Sequence, residues 1–124
     1  MLTLKTEPIV VHGDHRGALY KLHPEAVSGE VYAVRTKPGQ SRGHHFHQDM
    51  GEWFTAVAGT GVVVAVHPET GETAQAELAG QRVYVPAGIA HAIFNTGQED
   101  LLVLAFAEAA HRAEDVFAFP VSAP

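Results

Sequence analysis

Short apolar segments of strand length recur along the whole sequence, and turn residues separate them. The segments are rich in Val, Ile, Phe and Tyr, and the gaps contain Gly and Pro, as at 38–39, 59–61 and 86–88. Segments of this composition at even spacing are typical of an all-β sandwich or barrel. The pattern predicts strands at 18–22, 31–36, 53–58, 62–67, 73–78, 82–85, 90–95 and 101–106.

Little of the sequence favours helix, and only 24–27 and 108–113 are expected to form short helical turns. Residues 62–66 show no polar alternation, which predicts a strand that is buried on both faces. The segment 67–72 is predicted to be a hairpin loop, with Gly71 at positive φ. The apolar segment 117–121 is expected to dock as a last edge strand or against a partner subunit.

Length and composition narrow the class of protein. The 124 residues fit one domain, so we expect a single domain over 1–124, with its motifs within about 31–107. The net charge of −6, without any basic run, argues against nucleic acid and anionic membranes as partners. The absence of cysteine excludes disulfides and thiolate metal sites. No apolar stretch has signal-peptide or membrane-spanning length, so a cytoplasmic location is expected.

Three of the nine histidines stand in an arrangement that suggests a metal site. His45 and His47 are two residues apart, so on a strand both imidazoles face the same side. His91 lies in a later apolar strand and Glu52 precedes another, so the four side chains can meet inside a barrel. Three imidazoles and one carboxylate suit Zn²⁺, Ni²⁺, Fe²⁺ or Mn²⁺. His44 is predicted to face the opposite way, and ordinary core or surface roles are predicted for His12, His23, His67 and His111.

These segments match both cupin signatures at every specified position. The first, G-x5-H-x-H-x4-E-x6-G, spans 39–59, and the second, G-x5-P-x-G-x2-H-x3-N, spans 80–95. The chain therefore resembles the cupins. The resemblance implies an all-β, single-domain cupin, a jelly-roll β-barrel, in which the metal ligands are His45, His47, Glu52 and His91.

Flanking elements resemble enzymes of nucleotide sugars. A D-x-R-G element at 14–17 and an R-G-x-H-aromatic segment at 42–46 are similar to elements of dTDP-4-keto-6-deoxyhexose epimerases. The stretches 38–47, 52–54 and 86–95 resemble the cupin domain of capsular-polysaccharide nucleotide-sugar enzymes, and related cupins include dTDP-sugar ketoisomerases. This resemblance covers residues 14–121. It implies an epimerase or isomerase of a nucleotide-linked keto-deoxysugar in surface-polysaccharide biosynthesis, acting as a homodimer.

The resemblance also implies catalytic roles. Epimerisation removes a proton next to a carbonyl, for which His45 and His91 are the candidate catalytic groups. A divalent metal would polarise that carbonyl. In the metal-free epimerases, however, the position of His47 is usually Gln and the Glu52 ligand is not a feature. A complete metal set would also occupy His45, which weakens its assignment as a free base.

Four further residues are candidate substrate ligands. Arg16 and Arg42 are suited to bind a diphosphate, although a solvated charge or a surface salt bridge is an equally good interpretation of each. Phe46 and Trp53 are candidates for lining the pocket, as is Tyr84, although aromatic residues of a barrel more often belong to its core.

Two other functions remain open at this stage. The same donor set would serve a metal-dependent oxygenase, or an isomerase of another small molecule. A non-enzymatic module that binds a small carbohydrate is also compatible, because no clear general acid stands beside the cluster.

Overall fold

The computed structural model describes residues 1–124, which form twelve strands and one short 3₁₀ helix at Ala113–Asp115. The strands are β1 (Lys5–Pro8), β2 (Val10–Asp14), β3 (Gly17–Lys21), β4 (Val31–Thr36), β5 (Ser41–Phe46), β6 (Glu52–Ala58), β7 (Gly61–Val66), β8 (Thr73–Glu77), β9 (Gln81–Val85), β10 (Ala90–Asn95), β11 (Leu101–Ala107) and β12 (Phe117–Ala118).

Two five-stranded antiparallel sheets make up the body of the protein. The first has the order β1-β9-β6-β11-β4, and the second has the order β12-β5-β10-β7-β8. Strands β2 and β3 pair only with each other and form a separate hairpin. Sequence neighbours are repeatedly separated within the sheets, so the chain crosses between them as a jelly roll does. The predicted all-β cupin fold is confirmed.

The main core lies between the sheets. It joins Phe54 and Val83 of the first sheet to Val63 and Ile93 of the second, all of them buried. Burial of such apolar area is the dominant stabilising contribution to folding. The strands that face this core therefore form a stable support for polar side chains at one end of the barrel.

Strand β7 is buried on both faces, as its uninterrupted apolar sequence predicts. Val63 and Ala65 face the main core, whereas Val62 and Val64 belong to a second apolar cluster on the outer face. Val121 of the C-terminal tail completes that cluster. The tail therefore covers its own barrel, and β12 pairs with β5 as a last edge strand.

The strand predictions are largely confirmed, with differences near the N-terminus and at β5. The eight predicted strands appear as β3, β4 and β6 to β11, with boundaries that shift by one residue or a few. The predicted hairpin loop joins β7 to β8, and Gly71 has a φ of 76°. Strands β1, β2 and β5 were not among the predicted strands, because polar residues, and Pro8 in β1, interrupt their apolar pattern.

The predicted helical turns are wrong. Neither 24–27 nor 108–112 is helical, and the only helix is the short 3₁₀ turn at Ala113–Asp115, which shares one residue with the second predicted segment. In the second segment, the Glu108 side chain accepts hydrogen bonds from the Gly51 N–H and the Tyr84 hydroxyl, which hold this part of the chain in a non-helical conformation. These long-range contacts outweigh the helix propensity of the alanines.

No helix of the protein has the length and apolar character needed to cross a membrane.

Candidate functional site

A β-bulge in β5 sets the positions of the histidines. His45 pairs with His91 across β5 and β10, and the next pair is Gly43 with Ala92, so His44 has no partner. Gly43 has a φ of 108°, and a Cβ there would lie 3.0 Å from the His91 carbonyl oxygen. Glycine is therefore required at the bulge, which changes the direction of the neighbouring side chains.

Because of the bulge, His44 lies apart from the other histidines, as predicted. Its Nδ1 accepts the Val121 N–H, and its Nε2 lies 2.9 Å from the Ser41 hydroxyl. His44 therefore holds the C-terminal tail against β5.

The four predicted ligands come together between the two sheets. The ring centre of His45 lies 4.8 Å from that of His47 and 5.1 Å from that of His91. The Nε2 atom of His47 lies 3.1 Å from Oε1 of Glu52. We call these four residues the cluster. Chain segments that are more than forty residues apart meet here, as the sequence predicts.

Backbone contacts fix the orientation of His47. Its Nδ1 lies 2.9 Å from the carbonyl oxygen of Asp115. A carbonyl oxygen only accepts hydrogen bonds, so Nδ1 carries the proton and Nε2 of the neutral ring presents a lone pair. The Asp115 carboxylate in turn accepts the N–H groups of Gln48 and Asp49. Asp115 therefore fixes the loop that carries His47.

His91 is held in the same way but lies deeper. Its Nδ1 is 3.3 Å from the carbonyl oxygen of Ile89, which leaves its Nε2 free as an acceptor. The side chain is almost fully buried and packs beside the ring of Phe54. Burial lowers the pKa of His91 to about 4, so the ring is neutral at neutral pH.

Glu52 is a buried carboxylate with two polar neighbours. Burial opposes its charge, but the close approach of His47 and a hydrogen bond from Tyr32 outweigh that effect and hold the pKa of Glu52 below the ordinary value. Tyr32 donates a short hydrogen bond to Oε2. Burial, followed by the Glu52 charge, raises the pKa of Tyr32, so the phenol stays protonated. The Glu52–His47 contact in turn raises the pKa of His47.

The contact between His47 and Glu52 is incomplete. Although His47 Nε2 and Glu52 Oε1 are 3.1 Å apart, both atoms are buried and neither has a well-formed hydrogen bond. With His47 neutral, both atoms are acceptors and repel each other. A proton on His47, or a cation beside both atoms, would remove the repulsion.

Only part of the cluster faces solvent. A cavity of about 490 Å³ is lined by ten residues that include His45 and His91, whereas His47 and Glu52 are buried and do not line it. His45 is half-buried, and desolvation, followed by the proximity of His47, lowers its pKa. A neutral imidazole at the surface of a cavity is suited to accept a proton. The lining residues are Tyr32, Ala33, Val34, Arg35, Arg42, Gly43, His45, Phe54, His91 and Ile93.

The two aromatic candidates do not reach this cavity. Phe46 stacks on Phe117 of the C-terminal tail, with ring centres 5.2 Å apart. Trp53 packs on the opposite side of its sheet, against Tyr84 and beneath the guanidinium of Arg82. Side chains alternate between the faces of a strand, so a residue next to an inward-facing ligand points outward. The structure therefore does not support Phe46 and Trp53 as lining residues, and Tyr84 also lies outside the cavity.

The two arginine candidates are separated. Arg42 lines the cavity beside His45. Arg16 lies on the hairpin, where it pairs with Asp14 and lines a different, open groove. The D-x-R-G element is therefore not joined to the cluster within one chain.

The donor set suits a divalent metal, although its spacing is not that of a formed site. With metal–nitrogen bonds of about 2 Å, imidazoles on one tetrahedral ion have ring centres about 5 Å apart. His45 has this spacing to both of its neighbours, whereas the His47 and His91 rings are 6.2 Å apart. No group of three or more His, Cys, Asp or Glu side chains has the arrangement that binds a metal ion. A shared ion would require His47 and His91 to approach each other.

Sequence reasoning missed three residues around the cluster. Tyr32 and Asp115 contact it through hydrogen bonds across 20 and 68 positions of the sequence, which no local pattern reveals. His111, which was predicted to have an ordinary role, lies with its ring centre 5.2 Å from that of His47. The one available signal was the alternation of residues in β4, which places Tyr32 on the same inward face as Val34 and Thr36.

Solved structures show which class this barrel belongs to. A dTDP sugar isomerase from Desulfovibrio desulfuricans G20 is 19% identical, with a TM-score of 0.86 over 98% of this chain and 86% of that one. The RmlC epimerase from Legionella pneumophila Philadelphia 1, in complex with dTDP-4-keto-L-rhamnose, is 20% identical, with a TM-score of 0.80 over 93% and 71%. The protein therefore has the cupin-type fold of dTDP-sugar isomerases and epimerases.

Sequence comparison defines the family. A family model described as the polysaccharide biosynthesis C-terminal domain matches residues 12–117, and the chain belongs to this family. The capsular polysaccharide assembling protein CapF from Staphylococcus aureus is 26% identical, with a TM-score of 0.71; this chain is covered over 92% of its length but spans only 35% of CapF. Among curated protein sequences, none matches this chain.

Proposed function

We propose that the protein is an epimerase or isomerase of a nucleotide-linked keto-deoxysugar in polysaccharide biosynthesis. The observation that carries this proposal is the single cavity that joins His45, His91, Tyr32 and Arg42. Proton transfer next to a carbonyl requires a base and a donor or positive charge that stabilises the developing oxyanion, and His45 and Arg42 can supply these. The family and the fold of the similar enzymes support the same reaction class.

His45 is the proposed base. Its lowered pKa keeps the ring neutral at neutral pH, and it is the histidine of the cluster that is both half-buried and exposed to the cavity. Removal of the proton next to the carbonyl leaves negative charge on the substrate oxygen, which nearby donors must stabilise. His91, neutral and fixed at the cavity wall, is the second proposed catalytic group.

We further propose that the cluster binds a divalent metal ion through His45, His47, Glu52 and His91. The support is the pair of buried, unsatisfied acceptors on His47 and Glu52, together with the two rings whose Nδ1 atoms contact backbone carbonyls. Such carbonyl contacts commonly orient metal-binding histidines. The ion would polarise the substrate carbonyl. A base must keep its lone pair, so His45 could act as the base only when it is released from the ion, which His47, Glu52 and His91 would then hold.

The reaction is tested by incubating the protein with dTDP- and UDP-linked 4-keto-6-deoxyhexoses in D₂O. The proposal predicts that deuterium enters the sugar ring next to the keto group, as detected by NMR and mass spectrometry. No incorporation into any of these sugars would contradict the proposed reaction.

The metal is tested separately by elemental analysis of protein that was purified without chelators or a metal-affinity column. Metal added at about 100 times its Kd stabilises the folded state by about 2.7 kcal/mol, which corresponds to about 10 °C in the melting temperature of a domain of this size. His47→Ala and His91→Ala should abolish this shift, whereas His15→Ala, on the exposed hairpin turn, should retain it. Absence of bound metal together with an unchanged melting temperature would contradict the metal proposal.

We also propose that the protein is a homodimer, with the hairpin as the contact surface rather than the C-terminal tail. Phe117 of the tail stacks on Phe46 of the same chain. On the hairpin, by contrast, Val10, Leu19 and Tyr20 are each at least half exposed. Exposed apolar surface of this kind often marks an interface. Sedimentation analysis should find a dimer that Leu19→Ser weakens; a monomer at all concentrations would contradict this.

A further inference from the structure

The loop 48–51 joins His47 to Glu52, so its conformation sets how far apart these two members of the cluster lie. Their facing atoms, Nε2 of His47 and Oε1 of Glu52, are 3.1 Å apart, and both are buried without a well-formed hydrogen bond. With His47 neutral, two buried acceptors at this distance repel each other. The surrounding chain must therefore hold the two side chains together.

One continuous segment, residues 108–115, contacts both ends of the loop 48–51. At the end near His47, the Asp115 carboxylate accepts two backbone N–H groups of the loop. At the other end, the Glu108 carboxylate accepts the Gly51 N–H at 2.8 Å, and the Glu108 N–H donates to the Gly51 carbonyl oxygen at 3.1 Å. The loop is thus fixed by a carboxylate at each end.

Tyr84 of β9 holds the Glu108 carboxylate in place. Its hydroxyl lies 3.0 Å from each of the two carboxylate oxygens. Burial, followed by the contact with Glu108, raises the pKa of Tyr84 to about 12, so the hydroxyl stays protonated and donates. A Cβ on Gly51 would overlap this hydroxyl and lie 2.9 Å from Oε1 of Glu108. A larger residue at this position would therefore push the Tyr84–Glu108 pair away from the loop.

We infer that Glu108 is a positioning residue of the cluster, which acts through Gly51 to hold Glu52 against His47 so that their facing acceptors share one cation. Gly51 directly precedes Glu52, and the cupin signatures specify neither Gly51 nor Glu108. Ligands that are held in place before binding lose less conformational freedom when the ion binds. The role toward a cation rests on the proposed metal, whereas the positioning of Glu52 and His47 does not.

The positioning role is tested on chelator-treated protein by the NMR signals of the His47 imidazole. Glu108→Ala removes the acceptor of the Gly51 N–H and releases that end of the loop, so the His47 signals should shift or broaden. Glu108→Gln keeps an oxygen acceptor and should give the wild-type signals. The matched control is Glu114→Ala, on the same segment, whose carboxylate pairs with Arg112 at 3.6 Å; it should leave the signals unchanged.

Two results would overturn the positioning role. The first is wild-type His47 signals in Glu108→Ala. The second is a change of the same size in Glu108→Gln or in Glu114→Ala, which would show that the oxygen acceptor at residue 108 is not the cause. Circular dichroism verifies that each variant is folded.

Metal affinity tests the role toward a cation without turnover. In titration calorimetry with Zn²⁺, Ni²⁺ and Mn²⁺ in turn, Glu108→Ala should weaken binding at least about tenfold, as loss of a residue that orients a ligand does. Glu108→Gln and Glu114→Ala should bind as the wild type does. Wild-type affinity in Glu108→Ala would contradict this role. If the wild type binds none of these ions but its His47 signals respond to Glu108→Ala, the proposed metal fails and the positioning role stands.

Discussion

The cluster and the hairpin both contain charged or titratable side chains, but those of the cluster are mostly buried and those of the hairpin are exposed. Three of the four cluster residues are buried, and their polar atoms are oriented by contacts from several strands and loops. All ten residues of β2 and β3 are exposed, and the charged pair of Asp14 and Arg16 lies in water. When a packed framework holds such side chains away from water, their electrostatic interactions become stronger and their pKa values shift.

The largest contrast is expected in the apolar support of the two regions. Phe54→Ala removes a buried ring beside His91 and should lower the free energy of unfolding by about 3–5 kcal/mol. Leu19→Ala, on the exposed hairpin, should change it by no more than about 0.5 kcal/mol in the monomer. Urea unfolding measures both. Equal losses would show that the hairpin packs as firmly as the barrel.

A second contrast compares two aspartates. Asp115 accepts two backbone N–H groups in a buried position, so Asp115→Ala should cost about 2–3 kcal/mol of stability. It should also broaden or shift the NMR signals of the His47 ring, because the neighbouring loop loses its carboxylate anchor while the backbone carbonyl that contacts Nδ1 is retained. Asp14→Ala should cause no measurable loss, because solvent screens its pair with Arg16. An unchanged His47 signal in Asp115→Ala would contradict the positioning role of this loop.

A third contrast compares two tyrosines through loss of a single hydroxyl. Tyr32→Phe leaves the buried Glu52 carboxylate without one of its donors, which should cost about 1–2 kcal/mol. Tyr20→Phe, on the hairpin, should leave the melting temperature of the monomer unchanged. Differential scanning calorimetry distinguishes the two variants. The same melting temperature in both would mean that Tyr32 does not stabilise Glu52.

The smallest contrast is in acid stability. Arg82 hydrogen bonds hold the pKa of Glu25 at about 2 against an ordinary 4.5. A lowered pKa in the folded state gives stability that is present above pH 4.5 and is lost as the pH falls toward 2. Unfolding between about pH 5 and about pH 3 should therefore be less pH-dependent in Glu25→Gln than in the wild type. Asp14→Asn should reduce the pH dependence of unfolding less than Glu25→Gln does. Parallel pH profiles for the wild type and Glu25→Gln would contradict the effect.

The sequence predicts the two-sheet framework and the convergence of the four cluster residues, because both follow from the regular spacing of residues along strands. Even spacing of apolar segments predicts the two sheets, and unbroken apolarity predicts burial of both faces of β7. The same alternation also implies that Phe46 and Trp53, next to inward-facing ligands, point away from the cavity. The sequence does not predict the contacts of Tyr32 and Asp115. Those depend on which strands become neighbours, and the strand order is not encoded locally.

The cluster is the proposed reaction centre, and a pair of histidine variants tests this most directly. The measurement is the rate at which deuterium enters a nucleotide-linked 4-keto-6-deoxyhexose, for the wild type, His45→Gln and His15→Gln. We predict that His45→Gln lowers the rate at least about a hundredfold, in the range that loss of a general base produces, and that His15→Gln leaves it unchanged. Exchange at the wild-type rate in His45→Gln would contradict the account.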